Sequence, residues 1–217
     1  MTVFDFPSKA LIAPDAARDI ARGARLSAMY GREIGPVDVA KALVAAKVKY
    51  VLVGAHAANG YSSTPRTTVD VDIIASRSDQ AKNALHLAFP HLTIEEHPFV
   101  VRFMDSDHEA IDVIKAGSNK LFSEVMKHSR SVTLDQFPVT VATLEAILAL
   151  KFQAMVTISR KIADRMQDAT DFMRVVEANA TIDLPLLETL AELAFTGGGV
   201  EILRHVKNAR AGKRLDI

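Results

Sequence analysis

Cysteine is absent from the 217-residue chain, and this absence excludes disulfides and thiolate metal sites. Any metal must therefore be held by oxygen or imidazole ligands. The chain also lacks a net charge, because 26 Lys and Arg residues balance 26 Asp and Glu residues, so nonspecific nucleic-acid binding is not expected. Neither an apolar run of membrane-spanning length nor the apolar segment of a secretory signal is present. The sequence predicts a soluble cytoplasmic protein with no membrane partner.

The hydrophobic period of the sequence changes near residue 118. Before it, helical patterns alternate with short β-branched runs, the helices at about 14–29 and 36–46 and the strands at 50–53, 69–75, 99–104 and 110–115. After it the pattern is helical apart from one strand candidate, with segments at 121–128, 139–141 (the strand), 143–159, 161–179, 184–195 and 200–210. We predict an α+β fold. A small mixed sheet flanked by helices, in residues 1–118, would precede a C-terminal helical bundle in residues 119–217.

A glycine ends the first predicted strand. The apolar run 50–53 stops at Gly54, and a short helix is predicted to start at Ala55. The first turn of such a helix has free backbone N–H groups that suit an anion, and glycine lets a phosphate approach the backbone closely. This signal is weak alone, because a glycine between a strand and a helix is more often a simple turn residue.

Two aspartates share one face of the next predicted strand. In the run 69–75, strand alternation places Asp70 and Asp72 on the same side, opposite the apolar residues. Two neighbouring carboxylates on an apolar strand repel each other and resist burial, so a divalent cation is the simplest compensation. Mg²⁺ commonly binds one or two carboxylates together with phosphate oxygens and water. The alternative is a solvated edge strand.

A third aspartate, Asp112, lies in the middle of a later apolar strand. Pairing of this strand with the strand of Asp70 would bring Asp112 beside the same metal. A salt bridge with Arg102 across the predicted hairpin, or an edge position, would also explain an aspartate there. Taken with Asp70 and Asp72, Asp112 is interpreted as part of the site.

The residues of this region resemble a known family. Gly54-Ala-His-Ala, Gly60, the run Pro-Arg-Thr-Thr-Val-Asp-Val-Asp at 65–72 and the later Asp112 are similar to the nucleotidyltransferase superfamily built on the DNA polymerase β-like core. The closest resemblance is to the minimal and abortive-infection toxin-type bacterial nucleotidyltransferases. An apolar helix ending at Lys151 and the segment 165–171 extend the likeness into the helical half.

The resemblance implies an activity and assigns roles to residues. The activity would be Mg²⁺- or Mn²⁺-dependent transfer of an NMP from an NTP such as ATP to an acceptor hydroxyl on an RNA end (tRNA, for example), a protein or a small molecule, with an antitoxin protein as a partner. The implied catalytic and metal-binding residues are Asp70, Asp72 and Asp112, and the implied nucleotide-binding residues are Gly54, Ala55, Arg66, Thr68 and Lys151. From the residues alone, Arg66 could equally bond loop carbonyls, and Lys151 could simply extend along an apolar surface.

Two other functions compete with transfer as interpretations of these residues. An aspartyl-phosphate phosphatase also uses an Asp-x-Asp pair, but there the first Asp ends the first strand, whereas here a glycine turn precedes it. A catalytically idle member of the same fold, binding a nucleotide or a partner protein, is the stronger rival. Its support is Ala55, which stands where the family carries glycine or serine and offers no side-chain contact to phosphate.

Overall fold

The structure, a computed structural model, describes residues 13–29 and 34–217. Its strands are β1 (Tyr50–Leu52), β2 (Val71–Ala75), β3 (Thr93–Glu96), β4 (Val100–Asp105), β5 (His108–Lys115), β6 (Ser129–Leu134) and β7 (Phe137–Ala142). Its helices are α1 (Ala13–Ala28), α2 (Pro36–Ala45), α3 (Gly54–Asn59), α4 (Ser78–Ala88), α5 (Lys120–Val125), α6 (Leu144–Val156), α7 (Ile162–Ala178), α8 (Leu184–Glu192) and α9 (Gly198–Arg210).

All the strands of the described residues form one seven-stranded sheet in the order β3-β4-β5-β2-β1-β7-β6. The pairs β2–β5 and β1–β7 are parallel and the other pairs are antiparallel, so the sheet is mixed. Helices α2 and α4 pack against each other and against β7 and β5, respectively, while α6 to α9 pack on one another. The predicted α+β class, with helices around a mixed sheet and a helical bundle after it, is confirmed.

Sheet and bundle share their buried interior. The side chains of Ile73 and Phe103 from the sheet lie in the same continuous apolar cluster as Phe152 and Phe172 from the bundle. The sheet itself crosses residue 118, because β6 and β7 follow that point in the chain. The division of the chain into domains at residue 118 stays a prediction.

The sequence patterns missed two strands. β3 has the sequence Thr-Ile-Glu-Glu, and β6 begins Ser-Arg-Ser, so both have few apolar side chains. Each lies at an edge of the sheet, where one side of the strand needs no partner. The strand predicted at 139–141 lies within β7, and β6 is its hairpin partner. Among the described helices, none is long and apolar enough to cross a membrane.

Candidate metal centre

The sheet brings the three predicted carboxylates together. In the parallel pair β2–β5, Asp72 lies directly opposite Asp112, and Asp70 immediately precedes β2. One carboxylate oxygen from each of the three aspartates lies within 4.8 Å of the other two. Asp112 is buried and the other two are half-buried. The predicted shared site of Asp70, Asp72 and Asp112 therefore exists as a geometric cluster.

The charges of this cluster are only partly compensated by protein groups. Burial raises the pKa of Asp72 well above its usual value, and the neighbouring charges of Asp70 and Asp112 raise it further, while Lys151 opposes them. Burial also raises the pKa of Asp112 to about 6, against the lowering effect of Arg102. Closely spaced oxygen ligands that are costly to ionise together match the preference of a hard divalent cation. The three aspartates can thus bind a metal ion.

Gly54 is required by the position of Asp72. Its φ is +62°, and a Cβ at this position would lie 1.8 Å from Oδ2 of Asp72. The backbone N–H of Val53 also donates a 3.0 Å hydrogen bond to the carbonyl oxygen of Asp72. A residue with a side chain would meet both the left-handed conformation and the carboxylate. The turn between β1 and α3 therefore fits against the aspartate cluster because it has glycine there.

The helix that follows, α3, starts at Gly54, one residue before the predicted start. Among the described residues, no side chain caps its N-terminus. Ala55 is 5% exposed, so its methyl group adds to the packing of the turn. Its backbone N–H belongs to the first turn, beside the aspartate cluster. Phosphate binding by Gly54 and Ala55 stays a prediction.

The loop that leads to the Asp-x-Asp pair is anchored on both α1 and α3. Thr68 Oγ1 donates a 2.8 Å hydrogen bond to Oδ1 of Asp70, and the Thr68 backbone N–H donates to Ser27 Oγ on α1 at 3.1 Å. Asn59, at the end of α3, bonds both the carbonyl oxygen and the N–H of Arg66. Thr68 thus contacts the carboxylate of Asp70 and fixes its orientation. Its predicted contact with a nucleotide stays a prediction.

Arg66 and Lys151 belong to a buried network of ion pairs between this loop, α6 and α7. Arg66 donates from Nε and Nη2 to the two oxygens of Asp171, both at 2.9 Å. Lys151 Nζ lies 2.8 Å from both Asp168 and Asp171, and Arg160 completes the network by contacting Asp168 at 3.0 Å. Burial opposes the charge of Lys151, but the two aspartates outweigh it and raise its pKa.

These ion pairs define where the two predicted nucleotide ligands lie. The Lys151 side chain is 9% exposed and that of Arg66 is 26% exposed. Lys151 acts electrostatically on Asp72, which places the network near the aspartate cluster. The alternative expected for Arg66, a bond to a loop carbonyl, is also present, because its Nη1 donates a 2.9 Å hydrogen bond to the carbonyl oxygen of Thr67. Direct contact of Arg66 and Lys151 with a nucleotide stays a prediction.

A buried histidine lies next to the glycine turn. His56 is 3% exposed, and burial lowers its pKa to about 4 even though Asp70 raises it. Its Nδ1 has no hydrogen-bond partner among the described residues. His56 is thus a neutral imidazole at neutral pH. His108, in contrast, is exposed beside the hairpin turn between β4 and β5.

Sequence reasoning assigned no role to four residues that shape the site: Ser27, Asn59, Asp168 and Asp171. The two aspartates had a usable signal, since two acidic residues three apart on a helix share a face that also carries apolar core residues. Lys151 on the preceding helix is buried, and a buried lysine needs such partners. Ser27 accepts one hydrogen bond from Thr68, and Asn59 makes two hydrogen bonds with Arg66. No local sequence pattern predicts such contacts.

Comparisons with known proteins return structural likenesses only. No protein-family model matches the chain, and no curated protein matches it significantly. Solved structures that it resembles include an antigenic nucleotidyltransferase-like protein from Paracoccidioides brasiliensis, with a TM-score of 0.49, 16% identity, and 91% of this chain and 94% of that chain covered. JHP933 from Helicobacter pylori has a TM-score of 0.47, 14% identity and coverages of 87% and 92%. The antibiotic-resistance factor ANT(2'')-Ia has a TM-score of 0.45, 14% identity and coverages of 81% and 86%. Nucleotidyltransferase-like proteins are thus among the structural neighbours of this chain.

Proposed function

We propose that this chain is a nucleotidyltransferase that moves an NMP from an NTP to an acceptor hydroxyl and requires Mg²⁺ or Mn²⁺. The observation that supports it most is the cluster of Asp70, Asp72 and Asp112, whose oxygens lie within 4.8 Å of one another. Phosphoryl and nucleotidyl transfer ask little covalent chemistry of a protein, since positioning and charge compensation supply most of the rate. A cluster of carboxylates beside a glycine turn suits both tasks.

In this proposal each carboxylate has its own task. Asp70 and Asp72 would hold the divalent cations, and the hydroxyl of Thr68 keeps one oxygen of Asp70 in position. When bound, the cations neutralise the charge on the phosphates of the NTP and on the leaving pyrophosphate. The N–H groups of Gly54 and Ala55 bind the β- and γ-phosphates, and Arg66 and Lys151 add positive charge from the neighbouring network.

Asp112 is the residue best suited to accept a proton in this site. Burial raises its pKa to about 6 in the metal-free protein, and a cation bound beside it would stabilise the ionised form that accepts a proton. In the proposed reaction it would help Asp70 and Asp72 to hold a cation, and it would receive the proton of the acceptor hydroxyl. The freed oxygen then attacks the α-phosphorus, and pyrophosphate leaves.

The acceptor and the partners form the finer part of the proposal. The zero net charge favours a protein or small-molecule acceptor over a large RNA surface, although a tRNA end belongs to the same class of hydroxyl acceptors. A role as the toxin of a toxin–antitoxin pair, with an antitoxin protein as partner, rests on the sequence resemblance. So does ATP as the NTP, and the lack of cysteine fits a reducing, cytoplasmic location.

An idle member of the same fold is the second candidate, and one observation favours it. Arg66 and Lys151, the cations that would meet the triphosphate, are already paired with Asp171 and Asp168. Ion pairs buried to this degree are costly to open without replacement. Such a protein would bind a nucleotide or a partner and transfer nothing.

The deciding experiment measures transfer of the labelled α-phosphate of an NTP to an acceptor. The protein is incubated with each α-labelled NTP and Mg²⁺ or Mn²⁺, together with tRNA, lysate protein or small hydroxyl compounds. We expect label on one acceptor class, and we expect Asp70→Asn and Asp72→Asn to reduce transfer at least about a thousandfold because cation binding is lost. Asp107→Asn, in the exposed turn between β4 and β5, is the matched control and should transfer normally. Nucleotide binding without transfer to any acceptor would establish the idle protein instead.

A further inference from the structure

A row of charged residues runs from the aspartate cluster to the edge of the sheet. Strand pairing places Asp72 opposite Asp112, Asp112 opposite Arg102, and Arg102 opposite Glu95. Directly paired residues point to the same face of a sheet, so these four side chains form one line across β2, β5, β4 and β3. Arg102 is the cation of this row, and it is adjacent to the candidate metal ligand Asp112.

An irregularity in the hairpin adds a third carboxylate around Arg102. The β4–β5 register shifts between Phe103 and Met104, so that Glu109 pairs with Met104. In a regular ladder Ala110 would hold that position, and Glu109 would face the opposite side of the sheet. The bulge therefore moves Glu109 onto the face that carries Arg102 and Asp112. Bulges commonly redirect a side chain in this way near functional sites.

Arg102 divides its contacts unequally between the two carboxylates. Its Nη1 lies 2.7 Å from Oε1 of Glu109, within the short range of charge-assisted hydrogen bonds. Its Nε lies 3.2 and 3.4 Å from the two oxygens of Asp112, and its Nη2 lies 3.4 Å from Oδ2. Arg102 is thus bound more closely to Glu109, while its longer bonds occupy the carboxylate that the metal centre needs.

We propose that Arg102 is a positioning residue that holds Asp112 in the metal-free protein and moves fully to Glu109 when Asp112 binds a divalent cation. This inference rests on the metal centre of the proposed function. A guanidinium and a cation compete for the same carboxylate lone pairs, and two cations cannot be close neighbours without a counter-charge. The Arg102 side chain is 32% exposed and so has space to turn, and Glu109 and Glu95 compensate its charge after the move.

The proposal also explains how the site avoids three uncompensated carboxylates before a cation arrives. Arg102 neutralises Asp112, which leaves Asp70 and Asp72 as the ligands that are already available. A cation that Asp112 binds would then have to displace Arg102, so it would bind more weakly than the number of carboxylates alone suggests. Asp112 can therefore receive the proton of the acceptor hydroxyl only in the cation-loaded protein, after Arg102 has left its carboxylate.

The test measures Mn²⁺ binding by calorimetry with no nucleotide or acceptor present, at pH 8. Arg102→Met should bind Mn²⁺ about tenfold more tightly, because the competing guanidinium is gone; tenfold corresponds to about 1.4 kcal/mol. Glu109→Gln should bind it severalfold more weakly, because Arg102 loses its alternative partner. In Arg102→Met/Glu109→Gln the Glu109 change should have little further effect, since Glu109 acts through Arg102.

Matched controls separate this competition from a general change of charge. Lys82 pairs with Glu96, whose side chain faces the other side of β3 from Glu95. Lys82→Met removes the same charge from the same end of the sheet and should change the Mn²⁺ affinity less than about twofold at moderate salt. Arg102→Lys keeps the charge and the fold but loses the planar donor geometry, and its affinity should lie between those of the wild type and Arg102→Met.

Each outcome supports or overturns one part of the proposal for Arg102. Unchanged or weaker Mn²⁺ binding by Arg102→Met and Arg102→Lys, in proteins with a wild-type melting transition, overturns the competition. Additive effects in the double variant overturn the role of Glu109. If the wild type binds no Mn²⁺, or Asp72→Asn binds it equally well, the metal centre of the proposed function is wrong, and this result differs from a failure confined to Arg102.

Discussion

At the residue scale, one glycine and one aspartate depend on each other. The sequence suggested that Gly54 admits a phosphate, and the structure provides a second reason, since Oδ2 of Asp72 occupies the space of its missing Cβ. The φ of +62° adds a conformational reason that no other amino acid meets freely. Gly54 therefore affects the metal centre directly, through the position of its carboxylate.

Gly54→Ala should damage metal binding before it destroys the fold. The left-handed conformation costs a residue with a Cβ about 1–2 kcal/mol, so the free energy of unfolding should fall by at least that amount. Displacement of Asp72 should weaken Mn²⁺ binding by at least about tenfold, the change that 1.4 kcal/mol produces. Urea unfolding and calorimetry measure the two effects.

Gly117→Ala provides the control for this change. A Cβ there meets nothing within 4 Å, so both the stability and the Mn²⁺ affinity should remain close to wild type. Gly54→Ala with wild-type Mn²⁺ affinity would show that the carboxylate of Asp72 does not need the space beside the turn.

At the element scale, α7 is tied to the loop that precedes the candidate metal ligands. Asp171 on α7 receives both donors of Arg66 and also contacts Lys151 on α6. The Asp171 side chain is 5% exposed, and Arg66 and Lys151 together lower its pKa despite its burial. One carboxylate thus holds two helices and the loop before Asp70 together.

Asp171→Asn should loosen this connection. Loss of one partner from a buried ionic network leaves charges uncompensated, which typically costs about 3–5 kcal/mol of unfolding free energy. The expected loss for Asp171→Asn is at the low end, because Asp168 still pairs with Lys151. Urea unfolding measures it, and a cycle with Arg66→Met isolates the Arg66–Asp171 coupling.

Arg160→Met is the comparison for this network. Arg160 also contacts Asp168, but its side chain is 46% exposed, so its loss should cost less than about 1 kcal/mol. Equal losses for Arg160→Met and Asp171→Asn would contradict the view that burial makes the Asp171 contacts decisive.

Some strands of the sheet could be predicted from the sequence and others could not. β2 and β5 were predictable because apolar residues surround Asp72 and Asp112, which is unusual enough to indicate both a buried strand and a site. β3 and β6 were not, since edge strands tolerate polar side chains on both faces. Arg102 opposite Asp112 was one of several alternatives in the sequence, and only strand pairing shows that the salt bridge and the aspartate cluster occur together.

At the scale of the whole molecule, the candidate site reduces the stability of the metal-free protein near neutral pH. The sheet holds three carboxylates within 4.8 Å, and burial raises the pKa values of Asp72 and Asp112. The remaining fold tolerates this because its apolar core is continuous from sheet to bundle. The clustered carboxylates that suit a cation thus lower the unfolding free energy of the metal-free protein, and this cost should depend on pH.

The metal-free protein should lose stability from the aspartate cluster as the pH rises. The pKa of Asp112 is about 6 in the folded chain, against an ordinary value of 3.8 in the unfolded chain. A carboxyl with a raised folded pKa contributes its full stabilisation below about pH 4 and loses it as the pH passes 6. From pH 4 to pH 7.5 the contribution of Asp112 should fall by up to about 3 kcal/mol, and Asp72 should act in the same direction.

Comparison with Asp112→Asn isolates this contribution, because other carboxyl groups, such as Asp171, have lowered pKa values and act in the opposite direction. In EDTA, urea unfolding at pH 5 and 7.5 should show that the wild type loses more stability, or gains less, over this interval than Asp112→Asn does. Mn²⁺ at pH 7.5 should restore the unfolding free energy of the wild type and should raise that of Asp112→Asn much less. Identical pH dependence of the two proteins would mean that Asp112 ionises without penalty, and the electrostatic case for a cation at this site would then be lost.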